Sequence, residues 1–300
     1  MHNLERQRRG SYVLITAARN EEQFIERTIV SVARQTVLPL HWVVVDNGSV
    51  DRTREVVRRC ARLYPFLALQ ERQADGSGFA SKVAAVNEAY QYLRGLPFEF
   101  VGVLDADISV EPTYFQRLLA HFRSNLRLGV AGGVIMEPNG REFRPRYGNA
   151  PDYVAGAVQM FRRACFEAIG GYVAVPYAHE DTVASEMARM HGWEVMSCAE
   201  LQVFHHRRSS SGQGSLLAAR FRQGQADYAI GYHPLFEAVK FVRRLGERPI
   251  VVGTSLRLAG YLWAALRRRE RSVPAEFVSH LRARQALRLE HTLRKRTIHG

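Results

Sequence analysis

Short apolar runs alternate with stretches of helical periodicity over the first two thirds of the chain. Residues 12–18, YVLITAA, are apolar and β-branched and predict a buried strand. NEEQFIERTIVSVARQT follows, with Phe24, Ile25, Ile29 and Val32 close to helical spacing. The unit then repeats. HWVVVDNGSVD predicts a strand ending in polar residues, RTREVVRRCARLY a helix with Val56, Val57, Cys60 and Leu63 inward, and FLALQER a third strand. A Gly-rich stretch, ADGSGFA, opens the helix SKVAAVNEAYQYLRG, and FEFVGVLDADIS predicts a fourth strand. Strands alternating with helices of this length imply an α/β fold: a mostly parallel central sheet with helices on both faces.

From about residue 111 the alternation loosens. PTYFQRLLAHFRSN reads as a helix, LGVAGGVIME as a strand, and 137–152 as a polar loop. YVAGAVQMFRRACFEAIGGY predicts a strand running into a short helix that stops at Gly170 and Gly171. EDTVASEMARMHG is a further helix, WEVMSCAELQVFHH a last strand, and RRSSSGQGS a loop. The expected organisation is a basic N-terminal arm at 1–10, a catalytic domain at 11–215 and a basic helical C-terminal extension at 216–300.

Charge sharpens that division. Of the net +13, residues 240–300 carry +11 and residues 1–10 carry +2, so the body is neutral. A local basic segment points to an anionic partner for that segment, whether membrane surface, nucleic acid or acidic protein. The apolar run at 250–266, interrupted by Arg257 and followed by Arg267–Arg269, is shorter than the ~20 residues of a spanning helix. It reads either as an interfacial helix or as a helix pair packed on the body with a solvated basic face. Three scattered cysteines, with no CxxC pair, give neither a disulfide framework nor a thiolate metal site. No signal-peptide apolar region precedes the first strand, so the chain is expected on the cytoplasmic side, peripheral at the inner face of the cell membrane.

The candidate chemistry lies at the strand ends. Asp46 closes one strand, and Asp105 and Asp107 close another, at the rim where ligands of such sheets gather. Singly, each suits a cap or a turn. Carboxylates one residue apart also suit a hard divalent cation, Mg2+ or Mn2+, shared with substrate phosphates. A nucleoside diphosphate is then the natural ligand.

ITAARNEEQFIERTIVSVARQT, VVVDNGSVDRT, VGVLDADIS and EDTVASEMARMHGWEV stand in the order and spacing of the family 2 glycosyltransferases of GT-A fold, and over roughly 11–206 the chain resembles that family. The resemblance implies a nucleotide-sugar donor, a divalent metal and a general base. Ala17, Arg19 and Glu21 would line the nucleoside pocket, Asp46 would bond the base, and Asp105 would sit near the ribose. Asp107 would ligate the metal, with His205 as a second ligand. Lys82 would approach the nucleotide, its alternative being a solvated helix charge. Asp181 would take the proton from the acceptor hydroxyl, with Glu180 as neighbour and acceptor contact. Gly156, Ala157 and Gln159 would face the sugar, and Arg207 and Arg208 would steady the departing diphosphate. The first loop departs from the family pattern, reading TAARNEE where many relatives have Pro and a small polar residue before the Asn.

The expected reaction is a single in-line displacement with inversion, onto an acceptor that is lipid-linked or otherwise held near a membrane. Two other functions fit parts of the sequence. A nucleotidyltransferase would need a Gly-rich phosphate loop after the first strand, and TAARNEEQ has no Gly. A nucleic-acid-binding protein would use the basic tail, but the neutral body offers no recognition module.

Overall fold

The computed structural model describes residues 10–73, 79–146, 149–207, 215–244 and 251–298. The N-terminal arm up to residue 9, most of the Gly-rich stretch, Arg208 and the loop that follows it lie outside the described residues. The described residues form two compact units. The first runs to Val173 and takes in Glu180 onward to Arg207; the second combines Ala174–His179 with the helices beyond residue 215.

In the first unit, β1 (Tyr12–Ala18), β2 (His41–Asn47), β3 (Leu67–Arg72) and β4 (Phe100–Leu104) are parallel neighbours in the order β3-β2-β1-β4. Their residues alternate between two cores, as the two-residue period of a strand requires. Tyr12, Leu14, Trp42 and Val44 enter one core, and Val13, Ile15, Val43 and Val45 the other. Helices α1 (Ile25–Ala33), α2 (Thr53–Ala61) and α3 (Phe79–Leu93) make the crossovers. The buried positions of α1 are Ile25, Thr28, Ile29 and Val32, one face of a helical period.

Beyond β4 the sheet changes character. It continues through β8 (Val158–Arg162), β6 (Leu128–Asn139) and β9 (Glu194–His205) to β5 (Ile108–Val110). β4 and β8 are antiparallel, as are β6 and β8 and also β5 and β9, whereas β6 and β9 are parallel. The sheet is therefore parallel on one side of β4 and mixed on the other. Helices α4 (Tyr114–Ser124), α5 (Arg163–Ala168) and α6 (Glu180–Met190) complete the unit.

Two expectations change here. Residues 137–152 are not all loop, because β7 (Glu142–Pro145) folds back on β6 as an antiparallel hairpin turning at Gly140, whose φ is +68°. All four β7 residues are exposed, and the polar–apolar alternation of Glu142, Phe143, Arg144 and Pro145 is too short to mark a strand. Segment 174–179, expected within the catalytic domain, belongs to the second unit, where the His179 ring is hydrogen-bonded to Asp227.

The second unit comprises that segment with α7 (Leu216–Ala229), α8 (Pro234–Arg243), α9 (Val252–Leu266) and α10 (Ala275–Ile298). Helices α7 and α9 approach closely through glycines. A Cβ on Gly224 would lie 1.8 Å from the Arg257 carbonyl oxygen, and one on Gly260 would lie 2.0 Å from that of Phe221. Beside this contact is a charge cluster centred on the wholly buried Asp227. Asp227 accepts from Arg257 at 2.6 and 2.9 Å, lies 3.0 Å from Lys240 Nζ and 2.8 Å from His179 Nε2. Burial alone would raise the Asp227 pKa, but Arg257, Lys240 and His179 hold its carboxyl well below the usual carboxylate range.

Candidate active site

The break between β4 and β5 sets the site. β4 ends at Leu104 and β5 starts at Ile108, which is paired with His205 at the end of β9. Residues 105–107 therefore turn at the sheet's rim, and Asp107 comes to lie beside His205. The hydroxyl of Thr28, from α1, sits 2.7 Å from the carbonyl oxygens of both Ala106 and Ile108. It pins the backbone on either side of Asp107.

Asp107 is buried. Its Oδ2 lies 3.0 Å from His205 Nε2 and accepts from Arg207 Nε at 2.9 Å. Burial pushes the Asp107 carboxyl up, but His205 and Arg207 outweigh it and hold the pKa below the ordinary value. Burial likewise pulls His205 down, and the hydrogen bond and charge of Asp107 raise it overall. Arg207 also donates to Glu21 Oε1 at 2.7 Å. Burial pushes the Glu21 pKa up to about 7 even though Arg207 lowers it.

Among the described residues, three buried polar atoms at these positions have no hydrogen-bond partner: Glu21 Oε2, Asp46 Oδ1 and His205 Nδ1. Buried orphans are uncommon in folded proteins and each needs an explanation. Asp46 is otherwise well held, its Oδ2 accepting from Ser49 N at 3.3 Å and lying 3.1 Å from Arg54 Nε. Among the described residues its Oδ1 meets no donor. Ala17 pairs with Val45 one residue before the end of the β1–β2 ladder, and Arg19 is exposed just beyond.

Lys82 is not a solvated helix charge. Its Nζ donates to Asp105 Oδ1 at 2.8 Å and to Glu180 Oε1 at 3.3 Å. Burial opposes its charge, but the two carboxylates outweigh this and keep the ammonium well above the usual lysine range. Glu180 is buried, and burial raises its pKa while Lys82 lowers it. This corrects the expectation for Glu180, which holds Lys82 from within rather than meeting an acceptor.

Asp181 begins α6 beside it. Its Oδ1 accepts from Thr182 N at 2.6 Å and lies 3.3 Å from Thr182 Oγ1. Its Oδ2 accepts from the Tyr153 hydroxyl at 2.7 Å and from Gly156 N at 2.9 Å. Gly156 thus acts through its N–H, and a Cβ there would lie 3.2 Å from that of Asp181. Ala157 is buried, and its carbonyl oxygen accepts from Asp105 N at 3.0 Å. Gln159 is fully buried, its amide bonded to Val154 O, Asp181 O and Ser185 Oγ and its oxygen accepting from Tyr172. It therefore props the start of α6 and does not face a sugar, a second correction.

Thr28, Arg54 and Tyr153 were not foreseen as parts of the site. Thr28 looks like one more core position of an amphipathic helix, and Tyr153 stands in a stretch without periodicity. Arg54 had a signal, since it follows Asp46 in VDNGSVDRT.

A mixed sheet with a carboxylate-rich rim at the β4 break is the GT-A glycosyltransferase architecture. The model of the family described as Glycosyl transferase family 2 matches residues 13–176, and the chain belongs to that family. The β-monoglucosyldiacylglycerol synthase of Synechocystis is 26% identical over 211 residues, covering 61% of this chain and 41% of that protein. The Escherichia coli chondroitin synthase is 30% identical over 37% of this chain and 15% of that protein. The chain thus spans less than half the length of these relatives. Among solved structures, the mannosyltransferase PcManGT of Pyrobaculum calidifontis, in complex with GDP-Man and Mn2+, superposes with a TM-score of 0.55. It is 20% identical and covers 96% of this chain and 83% of its own. Staphylococcus aureus TarS 1–349 with UDP-GlcNAc gives 0.54, at 17% identity, over 90% and 78%. At these identities the likeness is one of fold.

Proposed function

We propose that the protein transfers a sugar from a nucleoside-diphosphate sugar to an acceptor hydroxyl by a single in-line displacement, with inversion at the anomeric carbon. The orphaned atoms of Glu21 and Asp46 carry this reading, because among the described residues Glu21 Oε2 and Asp46 Oδ1 are buried without a partner on the side of the rim where a nucleotide would lie. The GDP-Man and UDP-GlcNAc held by the fold neighbours support a donor of that class. Asp46 accepts from the base, Ala17, Arg19 and Glu21 line the nucleoside, and Asp105, steadied by Lys82, stands toward the ribose.

Asp107 and His205 would hold Mn2+ or Mg2+. Asp107 Oδ2 and His205 Nε2 lie 3.0 Å apart, near enough for one ion to be shared between them. A carboxylate with an imidazole suits Mn2+ at least as well as Mg2+. When bound, the ion neutralises charge that develops on the departing diphosphate. Arg207, now on Asp107 and Glu21, is the cation that turns to the leaving group.

Asp181 is the base. Its four acceptor positions are filled by Thr182, Gly156 and Tyr153, and the Tyr153 hydroxyl is the one side-chain donor from outside α6 among its described partners. An acceptor hydroxyl takes that place and gives its proton to Oδ2 as its oxygen attacks. The acceptor is lipid-linked or otherwise held near a membrane, as the diacylglycerol relative and the basic extension suggest.

The test pairs two variants, screened by thermal shift against UDP- and GDP-sugars with Mn2+, where native-state binding raises apparent stability. Asp107→Ala should lose the Mn2+-dependent shift and donor turnover. Asp181→Asn should keep the donor shift and lose turnover. Metal-dependent turnover retained by Asp107→Ala, or loss of donor binding in Asp181→Asn, refutes the corresponding assignment.

A further inference from the structure

Helix α9 is turned inside out relative to an ordinary surface helix. Its buried positions are small or polar: Gly253, Thr254, Gly260, Tyr261 and Ala264, with Arg257 inside on Asp227. Its outward positions are 252, 255, 259, 262 and 266, spaced three and four apart along one face, and they hold Val252, Ser255, Ala259, Leu262 and Leu266. Val252 is 51% exposed, Leu262 51% and Leu266 85%. A soluble helix normally buries such a stripe and shows its charge to water.

The stripe runs into a cationic end. Residues 267–271 are all exposed and read RRRER, a local charge of +3. The guanidinium carbons of Arg267 and Arg269 stand 5.8 and 4.9 Å from the Trp263 ring centroid. This indole with its cations is suited to headgroup level, where an apolar ring and charged tips are both satisfied. The buried side of α9 is fixed by the Gly224 and Gly260 contacts and by the Asp227 pair, so the helix cannot roll its leucines inward without breaking them.

We infer that the outward face of α9 is a membrane-docking surface: Leu262 and Leu266 enter the acyl boundary of an anionic bilayer while Arg267–Arg269 and Arg271 bind its phosphates. The apolar stripe supplies the salt-insensitive part of binding and the arginines the salt-sensitive part. Among the described residues no helix is long and apolar enough to cross a membrane, and α9 lies along the surface. Docking is a property of this surface and does not depend on the transferase reading.

Flotation of the full chain with phosphatidylcholine vesicles, with and without phosphatidylglycerol, tests it across a salt series. Binding should require phosphatidylglycerol and weaken with salt. Leu262→Glu/Leu266→Glu, at exposed positions that leave the fold and far-UV dichroism unchanged, should lower partitioning by about tenfold or more at every salt concentration. Arg267→Glu/Arg268→Glu/Arg269→Glu should remove the preference for phosphatidylglycerol. Failure of the wild type to float overturns the proposal, and so does wild-type flotation by the leucine variant. A leucine variant that turns a dimer into a monomer would assign the stripe to a second copy of the chain instead. Arginine-dependent capture of duplex DNA with no vesicle binding would assign the cations to nucleic acid.

Discussion

Lys82→Met isolates the link between the two carboxylate groups of the rim. The wild-type ammonium lies 2.8 Å from Asp105 and 3.3 Å from Glu180. Removing one member of a buried ion pair costs about 3–5 kcal/mol, because the partner is left charged and dry. The two carboxylates differ in this respect. The Asp105 side chain is 27% exposed and can rehydrate, whereas that of Glu180 is 5% exposed and cannot. A loss of about 2–4 kcal/mol follows, a fall on the order of 10 °C in melting temperature for a unit of this size. The penalty depends on pH with a definite sign. The folded pKa of Glu180 is already above its unfolded value, so the stability it contributes is fullest below the usual carboxylate range and is lost as pH rises through the folded value. Removing Lys82 moves that folded value further up, so the variant should lose much more at pH 8 than at pH 5. Thermal melts of wild type, Lys82→Met and Lys82→Met/Glu180→Gln at the two pH values read the effect, and the double variant should regain most of the loss at pH 8. A loss equal at both pH values, or a double variant no better than the single, would refute the reasoning.

Two further outcomes follow from contacts already described. Asp227→Ala leaves Arg257 and Lys240 buried without their shared anion, and should destabilise the second unit by about 3–5 kcal/mol in urea unfolding; a change below about 1 kcal/mol would mean the cluster rehydrates freely. Tyr153→Phe removes the Tyr153 hydroxyl donor to Asp181, and should raise hydrolysis of a nucleotide sugar by water roughly 2- to 10-fold with donor affinity unchanged, the equivalent of one hydrogen bond. A hydrolysis rate that falls instead would place the Tyr153 hydroxyl on the proton's path.

The parallel half of the fold was legible in the sequence because β1, β2 and β4 are buried on both faces and the crossover helices alternate with them. The rim carboxylates were legible for the same reason, since Asp46, Asp105 and Asp107 stand at the abrupt ends of apolar runs. What escaped was set by pairing between distant segments. Strand β7 is only four residues long and exposed throughout, with Phe143 alone offering a large apolar side chain, too little in its own residues to mark a strand. Lys82 reads equally as a nucleotide contact or a solvated helix charge until the fold sets it between Asp105 and Glu180, separated from it by 23 and 98 residues. Gln159 has the sequence neighbourhood of a substrate contact, and only the packing of β8 under α6 makes it a prop. The inverted face of α9 was ambiguous for another reason: its apolar content was visible, but the side that faces inward is decided by Gly224, Gly260 and Asp227.

The break in the strand between Asp105 and Asp107 has one more consequence. Asp105 ends β4, whose ladder runs toward β1, β2 and the nucleoside pocket, while Asp107 precedes β5, whose ladder runs to β9 and His205. Two carboxylates two positions apart thus belong to two ladders, tied through Ala106, the Thr28 clasp and the Arg207 link from Asp107 to Glu21 in the loop after β1. A substitution in that loop that removes Glu21 is therefore felt at Asp107 through Arg207, so a change of nucleobase preference has to keep this one link. The seam couples the half of the site that would read the donor's base to the half that would hold its diphosphate.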